Sequence, residues 1–184
     1  MKILVTGGSG FIGSCLIRHL IKYSSHTILN VDKLTYAANN SFSSEITENE
    51  RYSFSQTDIC NEEIFDLFIK FSPEIIINLA AESHVDNSIN SPHNFIQTNI
   101  VGTYNLLNNS LKYIHKNNSI DINKFKFIHI STDEVYGDLQ DLKIESFNED
   151  TAYNPSSPYS ASKASADHIV KAWHRTYGLQ SIII

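Results

Sequence analysis

The feature that most narrows the possible folds is an alternation. Short runs of aliphatic and β-branched residues recur along the chain, each followed by a stretch of helical periodicity. The runs are Ile3–Val5, extending to Lys2–Thr6, then Thr27–Val31, Tyr52–Ser55, Ile75–Leu79, Phe125–Ile130 and Ser181–Ile184. Between them the spacing predicts helices over Phe11–Lys22, Glu62–Phe71, Pro92–Lys116 and Pro158–Tyr177; in the last, Ala161, Ala164, Ile169, Val170 and Trp173 mark an apolar side. Several runs are apolar throughout rather than alternating, which suits strands covered on both faces of a parallel sheet. Strand, helix, strand, helix is the pattern of a doubly wound α/β sheet. Phe125, Phe127 and Trp173 read as core aromatics, and the polar stretches Asn39–Glu50 and Asn117–Asn123 as surface loops.

Composition excludes several classes. The 184 residues suffice for one domain with a full core. Fourteen Lys and Arg against twenty Asp and Glu leave a net charge of −6 with no basic run, a poor match to a phosphate backbone, so no nucleic-acid partner is expected. No apolar stretch approaches the roughly 20 residues that span a bilayer. The opening Met1–Val5 is broken at once by Thr6-Gly7-Gly8, too short for a signal-peptide core, so no membrane partner and a cytoplasmic location are expected. Cys15 and Cys60 form no Cys-x-x-Cys pair and lack metal-ligand spacing; they read as two buried thiols in a reducing compartment, with no metal site. The chain stops inside its final apolar run, which predicts a piece of a longer protein.

The first strand leads into Gly7-Gly8-Ser9-Gly10-Phe11-Ile12-Gly13 and then a helix. Gly7, Gly10 and Gly13 give G-x-x-G-x-x-G, while Gly8, Gly10 and Gly13 satisfy G-x-G-x-x-G. Glycine is needed here for a tight turn, for backbone approach to a pyrophosphate and for packing of helix on strand. The pyrophosphate would rest on the amides that open the helix, including those of Phe11 and Ile12, where the dipole favours negative charge. Asp32 stands nineteen residues beyond Gly13 at the end of the second strand, where a carboxylate accepts hydrogen bonds from an adenosine ribose. It would repel a 2′-phosphate, so NAD is favoured over NADP, with Lys33 weakening that preference. Asp58-Ile59, after the third strand, could meet the adenine.

Tyr159-Ser160-Ala161-Ser162-Lys163 puts a phenol and an ammonium four residues apart on one helical face. A nearby cation is expected to lower the phenol's pKa toward the working range of a base. Ser131 or Thr132, at the end of a strand, could hydrogen-bond the same substrate oxygen, and ligands of such sheets gather at those strand ends.

Met1–Gly13, Asn30–Ala37, Asn78–Asp86, Thr98–Tyr104, Ile130–Asp138 and Pro155–Asp167 together carry a resemblance to the extended short-chain dehydrogenase/reductases, and within them to the nucleotide-sugar 4,6-dehydratases. The most specific segment is Ser131–Gly137, because an acidic pair after Ser-Thr marks the dehydratases and is generally lacking in the epimerases. The resemblance implies a Rossmann fold and bound NAD. It adds Leu34 and Thr35 beside Asp32, Leu79, Ala80 and Ala81 on the nicotinamide side, and Thr98 and Ser131 as further cofactor contacts. Ser83 and His84 would face the sugar, although from the residues alone His84 reads as a hydrogen-bonded loop histidine.

A mechanism is implied as well. Tyr159, assisted by Lys163, would take the C4 hydroxyl proton while C4 gives hydride to NAD, and Thr132 would bond the C4 oxygen. Glu134 would remove the C5 proton, Asp133 would protonate the departing C6 hydroxyl, and hydride would return to C6. For Asp133 to hold a proton near neutral pH requires burial or a like charge, and the pair requires the backbone to turn at the strand's end. The implied substrate is dTDP-glucose, with UDP-glucose as the alternative, an epimerase or a non-catalytic NAD-binding module as more distant ones, and a homodimer through the two long helices. Relatives continue into a smaller substrate-binding domain, absent from this chain, so residues 1–184 alone are expected to bind NAD weakly and turn over slowly or not at all.

Overall fold

A computed structural model describes residues 1–38, 42, 44–117, 120–139 and 146–184. Six strands, β1 (Lys2–Thr6), β2 (Thr27–Asp32), β3 (Tyr52–Gln56), β4 (Ile75–Asn78), β5 (Lys126–His129) and β6 (Ser181–Ile183), form one sheet in the order β3-β2-β1-β4-β5-β6. Every neighbouring pair is parallel, with Ile3 opposite both Ile28 and Ile75, and Phe127 opposite both Ile76 and Ser181. The order reverses between β1 and β4, and a crevice therefore opens above their C-terminal ends.

Period-two geometry sends alternate residues of one strand to opposite cores. On β1, Ile3 and Val5 join Ile17, Ile21, Ile28 and Ile46 on one face, while Leu4 joins Phe68, Leu106, Leu107, Phe125, Phe127 and Val170 on the other. The first face is covered by α1 (Phe11–Tyr23) and a short α2 (Ser44–Thr47); α3 (Ile64–Phe71), α6 (Thr103–Lys116) and α7 (Pro158–Tyr177) cover the second. α3 starts two residues later than the spacing predicts.

The predicted helix Pro92–Lys116 is continuous but not uniform. It runs through α5 (Pro92–Phe95), a π-helical segment Ile96–Gly102 and then α6. A further helix, α4 (Val85–Asn90), was not expected from periodicity. The expected loop Asn39–Glu50 falls partly outside the described residues, and its remainder contains α2, anchored by buried Ile46. Residues 118 and 119 of the second expected loop also lie outside them; Ile120 and Ile122 pack against the core.

α7 has unambiguous ends. Ser157 and Ser160 form a reciprocal capping box, Pro158 follows the cap, and Gly178 closes the helix with a left-handed φ of 73°. Four of the five residues expected on its apolar side hold, Ala164 and Val170 buried and Ile169 and Trp173 packed against the core, but Ala161 is exposed, and Tyr159, Ser162, Lys163, Ala166 and Asp167 are buried with them. Three ionisable groups therefore sit where a helix normally carries its core residues. The two cysteines are a second correction, since Cys15 is exposed and Cys60 half-buried. Cys15 lies on the solvent side of α1, between Ser14 and Ile17, which face the sheet. Among the described residues no helix is long and apolar enough to cross a membrane.

Candidate active site

The crevice at the β1/β4 reversal is a cleft of about 450 Å³. The glycine loop forms its floor. Gly7 has φ 67°, and a Cβ there would lie 2.6 Å from the Ala80 nitrogen; a Cβ on Gly13 would overlap the Gly7 carbonyl. These two positions let β1, β4 and α1 converge with bare backbone between them. α1 has no side-chain cap and no acidic residue in its first turn, so the amides of Phe11, Ile12 and Gly13 open on the cleft unopposed.

Asp32 is fixed by two backbone donors, Ser9 N–H to Oδ2 at 2.9 Å and Leu34 N–H to Oδ1 at 2.8 Å. Leu34 serves Asp32 in this way, with φ 59°, and does not line the cleft. Lys33 donates to Thr98 Oγ1 at 3.1 Å and pairs with Asp58 at 3.6 Å and Glu82 at 3.7 Å. Its charge is met by two carboxylates, and the weakening of the NAD preference expected from it is thereby offset. Thr35, Asp58, Ile59, Leu79, Ala80, Ala81, Ser83, His84, Thr98 and Ser131 all line the same cleft. His84 Nδ1 lies 3.3 Å from the Tyr36 hydroxyl, in keeping with a hydrogen-bonded loop histidine.

Tyr159 and Lys163 reach the cleft from the first turns of α7. The Thr132 side chain hydrogen-bonds the Tyr159 phenol, and the Tyr159 ring packs edge-on against Phe95. Beyond Thr132 the backbone turns into a 3₁₀ helix, Asp133–Tyr136, capped by Thr132 Oγ1 accepting from the Glu134 amide at 3.3 Å. The expected end of the strand before the acidic pair is therefore observed. Thr132, Asp133 and Glu134 stand at the rim of the cleft, not among its lining groups.

Two electrostatic expectations are corrected. The Tyr159 phenol is held above its ordinary value, not below it: burial dominates, Glu134 and Asp133 add to it, and only the Thr132 hydrogen bond opposes. Lys163 exerts no comparable pull because its ammonium turns under the loop, donating to the Ile130 carbonyl at 2.6 Å and facing His129 Nε2 at 3.4 Å. Burial lowers the Lys163 pKa to about 8, against the pull of Asp167. Secondly, the carboxyl removed from water is Glu134, raised by burial and by Asp133, while Asp133 itself is exposed.

The sequence reading did not single out Glu82, Asn99, His129 and Asp167. Asn99 bridges both backbone groups of Glu82 and the Ser162 hydroxyl, so it ties the cleft wall to α7. The available signal was polarity at a core position: Asn78 and His129 are buried on strands beside Ile76 and Phe127, and Asp167 on α7 beside Ala166 and Val170; Asn99 carries no such signal, since its segment buries Thr98 and Gly102.

Fold and cleft together define the class: a doubly wound Rossmann domain with a glycine loop, a fixed acid at the end of β2 and a Tyr/Lys pair meeting at the switch point. The chain belongs to the GDP-mannose 4,6 dehydratase family, whose profile matches residues 4–184. It is 54% identical over 191 residues to a dTDP-glucose 4,6-dehydratase of Salmonella typhimurium, an alignment covering 100% of this chain and 53% of that one. Among solved structures it superposes at TM-score 0.83, with 39% identity, on dTDP-glucose 4,6-dehydratase from Bacillus anthracis in complex with NAD, over 100% of this chain and 53% of that one. A UDP-glucose 4-epimerase from Thermus thermophilus in complex with NAD matches at TM-score 0.82 with 27% identity, over 100% of this chain and 54% of that one. The chain thus spans about half the length of the relatives it matches.

Proposed function

We propose that residues 1–184 are the NAD-binding and catalytic part of a cytoplasmic, homodimeric dTDP-glucose 4,6-dehydratase, a hydro-lyase that forms dTDP-4-keto-6-deoxyglucose and water. The observation that carries this reading is the Asp133-Glu134 turn, capped by Thr132, beside Tyr159 at the rim of a glycine-floored cleft. Oxidation and reduction at C4 alone would leave both carboxyls idle. Elimination of water needs both, one removing a proton at C5 and one supplying a proton at C6.

The cleft fits a dinucleotide on its own features: uncapped amides at α1, no room for side chains at Gly7 and Gly13, and a fixed carboxylate at the end of β2. NAD bound there would supply the hydride acceptor for C4 and the hydride donor for C6. The amides of Phe11, Ile12 and Gly13 would hold its pyrophosphate, Asp32 would accept from its ribose hydroxyls, and Leu79, Ala80, Ala81, Thr98 and Ser131 would bound the rest of it. Thr132 hydrogen-bonds the C4 oxygen while Tyr159 takes its proton as the phenolate; with the phenol raised by burial and Lys163 turned under the loop, that base form requires the phenol pKa to fall when the cleft is occupied. Glu134 takes the C5 proton, made acidic by the C4 ketone, and its raised carboxyl is the better base for it. Asp133, on the same turn, passes a proton to the departing C6 hydroxyl, which leaves as water. Ser83 and His84 border the sugar.

The test is mass spectrometry of the gene product carrying these residues, incubated with dTDP-glucose and sub-stoichiometric NAD. The expected result is loss of one water per sugar, slowed by roughly 10²–10⁴-fold in Glu134→Gln. Water loss from UDP-glucose alone would replace the substrate and keep the chemistry. A C4 epimer without mass change would retire the acidic pair, and cofactor binding without any reaction would leave a binding module.

A further inference from the structure

Beneath the cleft lies a buried polar chain that the proposed chemistry does not use. Asp167, one helical turn beyond Lys163 on α7, is fully buried. Its Oδ2 accepts from the Ser131 hydroxyl at 2.5 Å and from the Tyr153 hydroxyl at 3.0 Å, while Oδ1 lies 3.4 Å from His129 Nε2. Lys171 reaches the Tyr153 hydroxyl from the solvent side at 3.3 Å.

Hydrogen-bond bookkeeping fixes the state of His129. Thr6 Oγ1 accepts from the Ala80 amide and donates to Asn78 Oδ1 at 2.6 Å. Asn78 Nδ2 is then the donor toward Thr103 Oγ1 and toward His129 Nδ1, at 3.2 Å. With His129 Nδ1 accepting, the ring's proton sits on Nε2, which lies 3.4 Å from both Asp167 Oδ1 and the Lys163 ammonium; the Lys163 donors therefore go to Ile130 and not to this nitrogen, and Asp167 Oδ1 is within ion-pair distance of the ring without a formed hydrogen bond. Burial and the Lys163 charge hold His129 unprotonated, with its pKa pushed down to about 3. A neutral imidazole, a carboxylate and an ammonium thus meet in one closed pocket.

We propose that Asp167, seated by His129, is the positioning residue of this site: its carboxylate is the counter-charge that keeps the buried Lys163 ammonium protonated, and it commits the Ser131 hydroxyl as a donor away from the cleft. Ser131 then presents only lone pairs to whatever occupies the cleft. Without a counter-charge, a lysine only 4% exposed would shed its proton more readily. The titratable groups facing Lys163 are His129 from β5 and Asp167 from its own helix; those facing Asp167 are His129 and Tyr153. This inference rests on the reading of Lys163 as the cation of the proposed active site.

The test is an NMR titration of the lysine side chains in the 184-residue chain, with Lys163 assigned through Lys163→Met. Asp167→Asn is expected to move the Lys163 midpoint clearly below the wild-type value of about 8, with Asp167→Glu restoring it. An unchanged midpoint in folded Asp167→Asn overturns the proposal. If that variant does not fold, Asp167→Ser decides. It removes the charge and leaves a hydroxyl for Ser131 and Tyr153, so the Lys163 midpoint should fall, and an unchanged one overturns the proposal. The readout needs neither cofactor nor sugar. A lowered midpoint with no water loss would uphold the brace and sink the dehydratase reading, and the converse pair of results would do the reverse.

Discussion

Asp32 and Lys33 are neighbours with opposite situations. Asp32 has one hydrogen bond on each oxygen and keeps lone pairs toward the cleft, whereas Lys33 is taken up by Asp58, Glu82 and Thr98. Asp32→Ala should therefore weaken NAD binding roughly 10–100-fold, since hydrogen bonds to a charged group are worth about 1.5–3 kcal/mol, as read by calorimetric titration. Lys33→Met should lower stability by no more than about 1 kcal/mol in urea melts, because its ion pairs are partly solvated. At this scale the sequence showed residue types and spacing well: Asp32, Tyr159, Lys163 and the acidic pair all stand at or beside one cleft. It did not show protonation. Which carboxyl of Asp133-Glu134 leaves water, and whether Lys163 points at Tyr159 or under the loop toward His129, depend on the 3₁₀ turn and on burial that spacing does not encode.

Two glycines separate close approach from simple capping. A Cβ on Gly13 would run into the backbone of Gly7 and Gly8, which cannot move without parting α1 from β1. Gly178, with φ 73°, has open space around it. Gly178→Ala should lower stability by about 1–2 kcal/mol, the left-handed backbone term alone. Gly13→Ala should exceed that and abolish NAD binding; equal losses in thermal melts of the two variants would contradict the packing account. The elements themselves were largely legible: every strand run and all four long helices are present, because burial on both faces and helical periodicity leave plain marks. α4 and the π-helical segment Ile96–Gly102 were not. α4 is six residues long and mostly exposed, and the π segment keeps a near-helical pattern while shifting register by a residue. That shift accompanies Thr98 toward Lys33 and Asn99 toward Ser162, and π segments often coincide with functional sites.

For the molecule as a whole, the buried ionisable chain sets the response to acid. His129 has a native pKa of about 3 against an ordinary 6.5, so between these values the unfolded chain binds a proton that the native one refuses. Its stabilising contribution is complete above about pH 6.5 and is lost as pH falls toward 3, with a slope of up to about 1.4 kcal/mol per pH unit. Lys163 acts in the same sense from about 8 to 10.5, where stability rises with pH. Urea midpoints should therefore climb from pH 4 to 7, while above about 9 the rise from Lys163 is opposed by the Cys60 thiol, which burial pushes up to about 11; a profile flat across the acid range would contradict a neutral buried His129.

The pairing of β6 with β5 also sets a timetable for biosynthesis. The Ser131 amide donates to the Ile184 carbonyl at 2.6 Å, and the Ile184 amide to the His129 carbonyl at 3.0 Å. The loop that carries Ser131 thus receives its backbone partner only after residue 184 has left the ribosome, although β1 and its glycine turn were made first. A nascent chain stalled before that point would expose the site's loop to solvent exchange and to proteases.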